Sequence, residues 1–196
     1  MVQDSTTYYV WIGGSCDYGH KEPTNEARAE SQARLGYALQ GGGRRSQRAG
    51  GAAVVIELME QREQSQRELN SAESRQKKTK SQHDGSIISR DVISDLHTTE
   101  FRMMLTLMVK VMYELPDGSD ILFLTNEAYI QNFDKTPTAK SANPDLISQC
   151  IDAKTRHKSV SVKIVPYHKS PLLIETHAMA TEAMTKTRKE YHHDIQ

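Results

Sequence analysis

The chain has 196 residues, of which 37% are hydrophobic and 26% charged. That is enough apolar material for one core, while no apolar stretch reaches the roughly 18 residues needed to span a bilayer. Lys and Arg together number 25, as do Asp and Glu, so the formal net charge is zero and the positive excess that drives non-specific phosphate binding is missing.

The first predicted element is a strand over TYYVWIGG (Thr7–Gly14), rich in β-branched and aromatic residues and stopped by paired glycines. TNEARAESQARLGYALQ (Thr24–Gln40) predicts a helix with Leu35 and Leu39 on one face. GGGRRSQRAGG (Gly41–Gly51) reads as a flexible basic loop, since it lacks the Gly-Lys-Ser/Thr ending of a nucleotide-binding loop. AAVVIELM (Ala52–Met59) predicts a second strand. From Glu60 to Asp84 almost no apolar residue occurs. Such a segment cannot bury enough surface to offset its ordering entropy, and it reads as a mobile hairpin extension or a solvated helix. Within it, RQKKTK (Arg75–Lys80) is a basic run whose default reading is a solvated segment. GSIISR (Gly85–Arg90) predicts a third strand, antiparallel to the second across that insertion.

TTEFRMMLTLMVKVMYEL (Thr98–Leu115) has a threonine cap and is apolar nearly all round, which predicts a buried central helix. Its Met103, Met104, Met108 and Met112 read as core rather than as a soft-metal box. DILFLT (Asp120–Thr125) predicts a strand covered on both faces. Ala142–His157 predicts a helix with Asn143 as N-cap, Pro144 in the first helical position and Asp145 in the first turn. Val160–Tyr167 alternates as a last strand, and Leu172–Tyr191 suits a terminal helix. Three meandering strands followed by α/β units predict an α/β fold: a mixed five-stranded sheet with helices on both faces. Residues 1–191 read as a single domain with insertions at about 17–49 and 60–84, followed by a tail at 192–196.

Cys16 and Cys150, without a C-x-x-C pair, read as free thiols of a reducing compartment. MVQDSTTYYV has no basic start followed by an apolar run, so a cytoplasmic location is expected. His168, His177, His192 and His193 lack a metal-ligand spacing on one helix, and no zinc is expected.

Three blocks resemble bacterial type 1 ribonuclease H. WIGGSC (Trp11–Cys16) resembles that family's first strand, which ends Asp-Gly-Ser. Thr98–Ile130 resembles its central helix, with an Arg-Met-Glu-Leu core, and a following strand that ends Thr-Asp-Ser. Ala139–Ala183 resembles the stretch from its Asn-x-Asp-Leu helix to a Gly-His loop and a terminal Ala-Asp-x-Leu-Ala helix. The blocks cover about half the chain in matching order. The resemblance implies a ribonuclease H-like fold and, for the family, cleavage of the RNA strand of RNA/DNA hybrids by two magnesium ions on four carboxylates. Carried over, those four positions fall on Gly13, Met104, Asn126 and His177, none of them an acid. The family's loop histidine matches His168, and a phosphate-contacting threonine matches Thr99. The pair that reads the hybrid's minor groove falls on Glu100 and Phe101, and the basic handle is reduced to NFDKTPTAK (Asn132–Lys140).

Magnesium demands hard oxygen ligands, and two such ions need several negative charges to offset their repulsion. The expectation is therefore no cofactor and no metal, a catalytically inactive scaffold or protein-interaction module, and an unidentified protein partner. Two alternatives go with it. One is nucleic-acid binding without cleavage through Thr99, Arg44, Arg45, Arg48, Lys77, Lys78 and Lys80; the other is a magnesium site rebuilt from Asp17, Glu100 and Glu127.

Overall fold

The computed structural model describes residues 6–17, 49–59, 85–139 and 141–193. The predicted helix Thr24–Gln40, the polar segment Glu60–Asp84 and the basic residues Arg44, Arg45, Arg48, Lys77, Lys78 and Lys80 lie outside the described residues.

Among the described residues, five strands form one sheet in the order β3-β2-β1-β4-β5. They are β1 (Thr7–Asp17), β2 (Ala49–Met59), β3 (Gly85–Leu96), β4 (Asp120–Thr125) and β5 (Ser159–Ile164). The first three form an antiparallel meander, while β4 runs parallel to β1 and β5 parallel to β4. Helices α1 (Glu100–Glu114), α2 (Pro144–Lys154) and α3 (Pro171–His193) cover the sheet. This is the mixed sheet with helices on both faces that the element order predicts.

The period of two along β1 sorts its side chains between two cores. Tyr8, Val10 and Ile12 pack with the apolar face of α1 and with Leu146, Ile147 and Cys150 of α2. Trp11 packs with Val55, Leu124 and Leu173 of α3 on the other side. Burial fits the predicted role of α1, where Met104, Leu107, Met108, Val111 and Met112 are fully enclosed. Thr99 caps this helix, its hydroxyl oxygen accepting from the Arg102 amide at 3.3 Å.

Several boundaries differ from the sequence reading. β2 begins at Ala49, so the end of the expected glycine loop is strand, paired with β1 from Ala49↔Asp17 onward. A strand there needs residues without bulk. A Cβ on Gly50 would stand 2.9 Å from Thr98 Cγ2, and one on Gly51 would stand 2.5 Å from the Ala180 carbonyl oxygen. β3 continues past Arg90 to Leu96 because every β2 residue back to Ala49 finds a partner on it. It is an edge strand, largely exposed, so its polar positions carry no apolar alternation to reveal its length. Asn143 takes the left-handed conformation (φ 55°) and does not cap α2 with its side chain. Its amide oxygen accepts from Arg102 at 3.4 Å instead, and its amide nitrogen donates to the Tyr129 hydroxyl at 3.4 Å. α2 ends at Lys154, β5 ends at Ile164 before a short 3-10 turn at Tyr167–Lys169, and α3 runs on to His193.

Candidate functional site

The two glycines that end WIGG let both helix layers close on the end of β1. Gly13 faces α3: a Cβ there would stand 2.6 Å from Thr176 Oγ1, 2.9 Å from His177 Cδ2 and 3.1 Å from the His177 amide. Gly14 faces α1, where a Cβ would stand 2.8 Å from Met104 Sδ and 3.0 Å from Glu100 Cβ. Asn126 follows the last residue of β4, and its Oδ1 lies 2.8 Å from His177 Nε2. Gly13, Met104, Asn126 and His177, expected to converge on the strength of the resemblance alone, are thus brought together at one end of the sheet.

A connected polar network joins three elements there. The His177 Nε2–H donates to Asn126 Oδ1, with the Gly14 carbonyl of β1 beside the ring, and the Asn126 amide nitrogen donates to Glu127 at 2.9 Å. Tyr167 packs edge-on against the imidazole with centroids 5.0 Å apart. Burial holds the His177 pKa below its usual 6.5, against the opposing pull of the Glu127 carboxylate and the Gly14 carbonyl. The ring is neutral in the ordinary working range for that reason.

Glu127 departs from expectation. Read as extended chain, it would point away from the Asn126 side. The backbone turns instead, with the Glu127 amide donating to Thr125 Oγ1 at 3.1 Å, and the carboxylate folds back onto Asn126. Glu100 also reaches this end of the sheet, through its approach to Gly14, whereas the Asp17 carboxylate is paired with Arg188.

The donor set can be tested against a pair of magnesium ions. Position 13 offers no side chain, Met104 a fully buried thioether, Asn126 a neutral amide already bonded to His177 and Glu127, and His177 an imidazole. Among the described residues, no three His, Cys, Asp or Glu side chains gather in a way that holds a metal. Hard, multiply charged oxygen coordination is not available from these groups, and they do not fit the two-ion arrangement.

The remaining predicted positions lie around this end or apart from it. His168 is exposed in the 3-10 turn, next to the Tyr167 that packs on His177. Thr99, beyond its capping bond, lines a cavity of about 450 Å³ at the start of α1, together with Thr98, Phe101, Arg102, Tyr129 and Asn143. Sequence reasoning missed this cavity, although an aromatic residue, the half-buried Phe101, in the first turn of the helix was a signal for it. Cys150 is buried, its thiol pushed up to about 12 by burial and then by the nearby Asp134 charge, which makes it inert as a nucleophile at neutral pH.

No family model matches the chain, and no curated protein matches it in sequence. Solved structures match it in shape. LC9-RNase H1, a type 1 RNase H with the type 2 active-site motif, is 15% identical with a TM-score of 0.60, over 93% of this chain and 74% of that one. The N-terminal RNase H domain of Rv2228c from Mycobacterium tuberculosis, solved as a fusion with maltose-binding protein, is 8% identical with a TM-score of 0.54, over 95% and 99%. LC11-RNase H1 in complex with an RNA/DNA hybrid is 10% identical with a TM-score of 0.51, over 91% and 97%. The chain has a ribonuclease H-like α/β fold. Among the described residues, no helix is long and apolar enough to cross a membrane.

Proposed function

We propose that this chain is a degenerate relative of the bacterial type 1 ribonucleases H: a catalytically silent domain that serves as a scaffold or protein-interaction module. The observation that carries the reading is the closure of α3 onto Gly13, where His177 stands 2.9 Å from the position a side chain would need. An acid required at that place for a two-ion mechanism has neither the atoms nor the room. The other three positions support it through donors that are soft, neutral or already hydrogen-bonded. Rebuilding the site from displaced acids is disfavoured, because among the three acids considered Asp17 is engaged by Arg188 and Glu127 by Asn126, while Glu100 approaches this end of the sheet from α1. Two carboxylates are half the charge that two divalent ions require.

The test is direct. The purified full chain is incubated with an RNA/DNA hybrid and magnesium beside an active ribonuclease H, and magnesium is titrated into it by calorimetry. No cleavage and no site-specific heat are expected. Magnesium-dependent cutting of the hybrid would overturn the reading.

A second reading, nucleic-acid binding without cleavage, is favoured by the cavity beside Thr99, which remains open where the metal end of the site is closed. A neighbour in fold, LC11-RNase H1, carries a bound hybrid. For this chain the reading requires affinity for a strand or hybrid that falls steeply as salt rises; an affinity indifferent to salt, or none at low salt, counts against it.

A further inference from the structure

The cavity at the start of α1 has a chemistry of its own. Its volume, about 450 Å³, is in the range of small-molecule sites. Phe101 and Tyr129 both line it, their rings 4.8 Å apart and inclined by 33°. The tyrosine is held in place from two sides, its hydroxyl donating to the Ala142 carbonyl at 2.7 Å while the Asn143 amide donates to that hydroxyl at 3.4 Å. Fixed aromatic rings are a platform on which another planar ring stacks. Thr98 lines the same cavity and is only 7% exposed; its Oγ1 is itself buried and has no hydrogen-bond partner among the described residues. A hydroxyl both donates and accepts, and a buried one left unpaired is uncommon enough to need an explanation.

Charge narrows the ligand further. Arg102 lines the cavity, but Asp145 grips its guanidinium through two bonds of 3.1 and 2.7 Å. Glu100 adds an acid to the first turn of the same helix. With the Arg102 guanidinium compensated by Asp145, the attraction left for an anion comes from His97 and the first turn of α1, and Glu100 opposes it. A neutral planar heterocycle with donors and acceptors on its edge suits both the ring pair and the lone hydroxyl.

We infer that this cavity takes an unpaired nucleobase, stacked on the Phe101–Tyr129 pair and hydrogen-bonded on its edge by the Thr98 hydroxyl once that side chain turns about χ1 to meet it. The inference rests on the nucleic-acid reading above and narrows it from duplexes to strands with an unstacked base. In a duplex both faces of a base are covered by its neighbours and its edge by its pairing partner, so no surface is left for the cavity.

The probe is the fluorescent nucleoside 2-aminopurine riboside, whose emission is quenched on stacking. It is titrated with the full chain as the free nucleoside, within a single strand, and paired within an RNA/DNA hybrid. Saturable quenching is expected for the nucleoside and the single strand, much less for the hybrid, with the nucleoside's affinity nearly independent of salt. Phe101→Ala is expected to weaken nucleoside binding roughly tenfold or more. Phe101→Leu keeps an apolar side chain without the ring, Thr98→Val keeps the shape without the hydroxyl, and both should weaken it too. Melting curves establish that each variant is folded. Inorganic phosphate is the competitor and should not displace the nucleoside. The inference fails if the wild type shows no saturable quenching at millimolar concentration. It also fails if folded Phe101→Leu and Thr98→Val bind like wild type, or if phosphate displaces the probe. Strand binding that is steeply salt-dependent, with no nucleoside quenching, would sink this inference and leave the broader reading standing. Nucleoside quenching without salt-dependent strand binding would do the reverse.

Discussion

A side chain at position 13 collides with α3 before it reaches any ligand. The Thr176 hydroxyl it would meet at 2.6 Å donates to the Leu173 carbonyl at 2.8 Å, and Thr176 is fully buried. That hydroxyl cannot swing aside without losing its bond, and the His177 backbone amide 3.1 Å away cannot swing at all. Gly13→Asp is therefore expected to destabilise the fold by about 1–3 kcal/mol, the usual range for overpacking a tight site, with Gly13→Ala at the low end. Urea denaturation measures this, and a Gly13→Asp variant as stable as wild type would show that α3 yields freely. His177 makes a second, pH-dependent prediction. Burial depresses its pKa below 6.5 in the folded chain, so the unfolded chain binds the extra proton first. The stability this contributes is present above pH 6.5 and lost as pH falls through the folded value. The urea midpoint should drop as pH falls below 6.5, and His177→Gln should drop less over the same range. An equal drop in both proteins would assign the effect to other groups.

Thr99 connects the first turn of α1 to both readings of the function. Its capping bond to the Arg102 amide is worth about 1 kcal/mol by analogy with other threonine caps, so Thr99→Ala should lower stability by roughly that amount. The Arg102–Asp145 pair that ties α1 to α2 is 42% and 50% exposed, and Asp145→Asn should cost less than about 1 kcal/mol. A larger loss for Asp145→Asn than for Thr99→Ala would reverse this ranking. The same segments show what sequence alone reveals. The buried β4 and α1 were legible because DILFLT and the methionine-rich run are apolar in the pattern that each element needs. β2 was cut short at Ala52 because paired glycines read as loop, although here Gly50 and Gly51 are strand residues whose missing side chains admit Thr98 and Ala180. β3 was cut short at Arg90 because an exposed edge strand carries no hydrophobic alternation. Glu127 was misdirected because the turn at Thr125 is a backbone event that no side-chain pattern announces. The four site positions were legible in residue identity, and their convergence is what the fold adds.

Taken over the whole molecule, the ribonuclease H-like architecture closes this end of the sheet around a glycine, a thioether, an amide and an imidazole. Gly13, Met104, Asn126 and His177 contribute no carboxylate, and the sheet end is closed by helix packing and one hydrogen-bonded network. Electrostatics then predicts different responses to magnesium for this protein and for a variant with acids at the four positions. Combining Gly13→Asp, Met104→Glu, Asn126→Asp and His177→Asp places four like charges around the end of β1, two of them, at 13 and 104, at buried positions. Burying an unpaired carboxylate is costly, so the variant should melt well below the parent in metal-free buffer. A ligand that binds the folded state alone raises its stability in proportion to the logarithm of its concentration. Millimolar magnesium should therefore raise the melting temperature of the variant and leave the parent unmoved, with calcium less effective where the geometry is tight. Differential scanning calorimetry of both proteins with and without magnesium decides the matter. A parent that gains as much from magnesium as the variant would mean that this end of the sheet holds the cation by groups other than the four, and the claim of a silent site would fall.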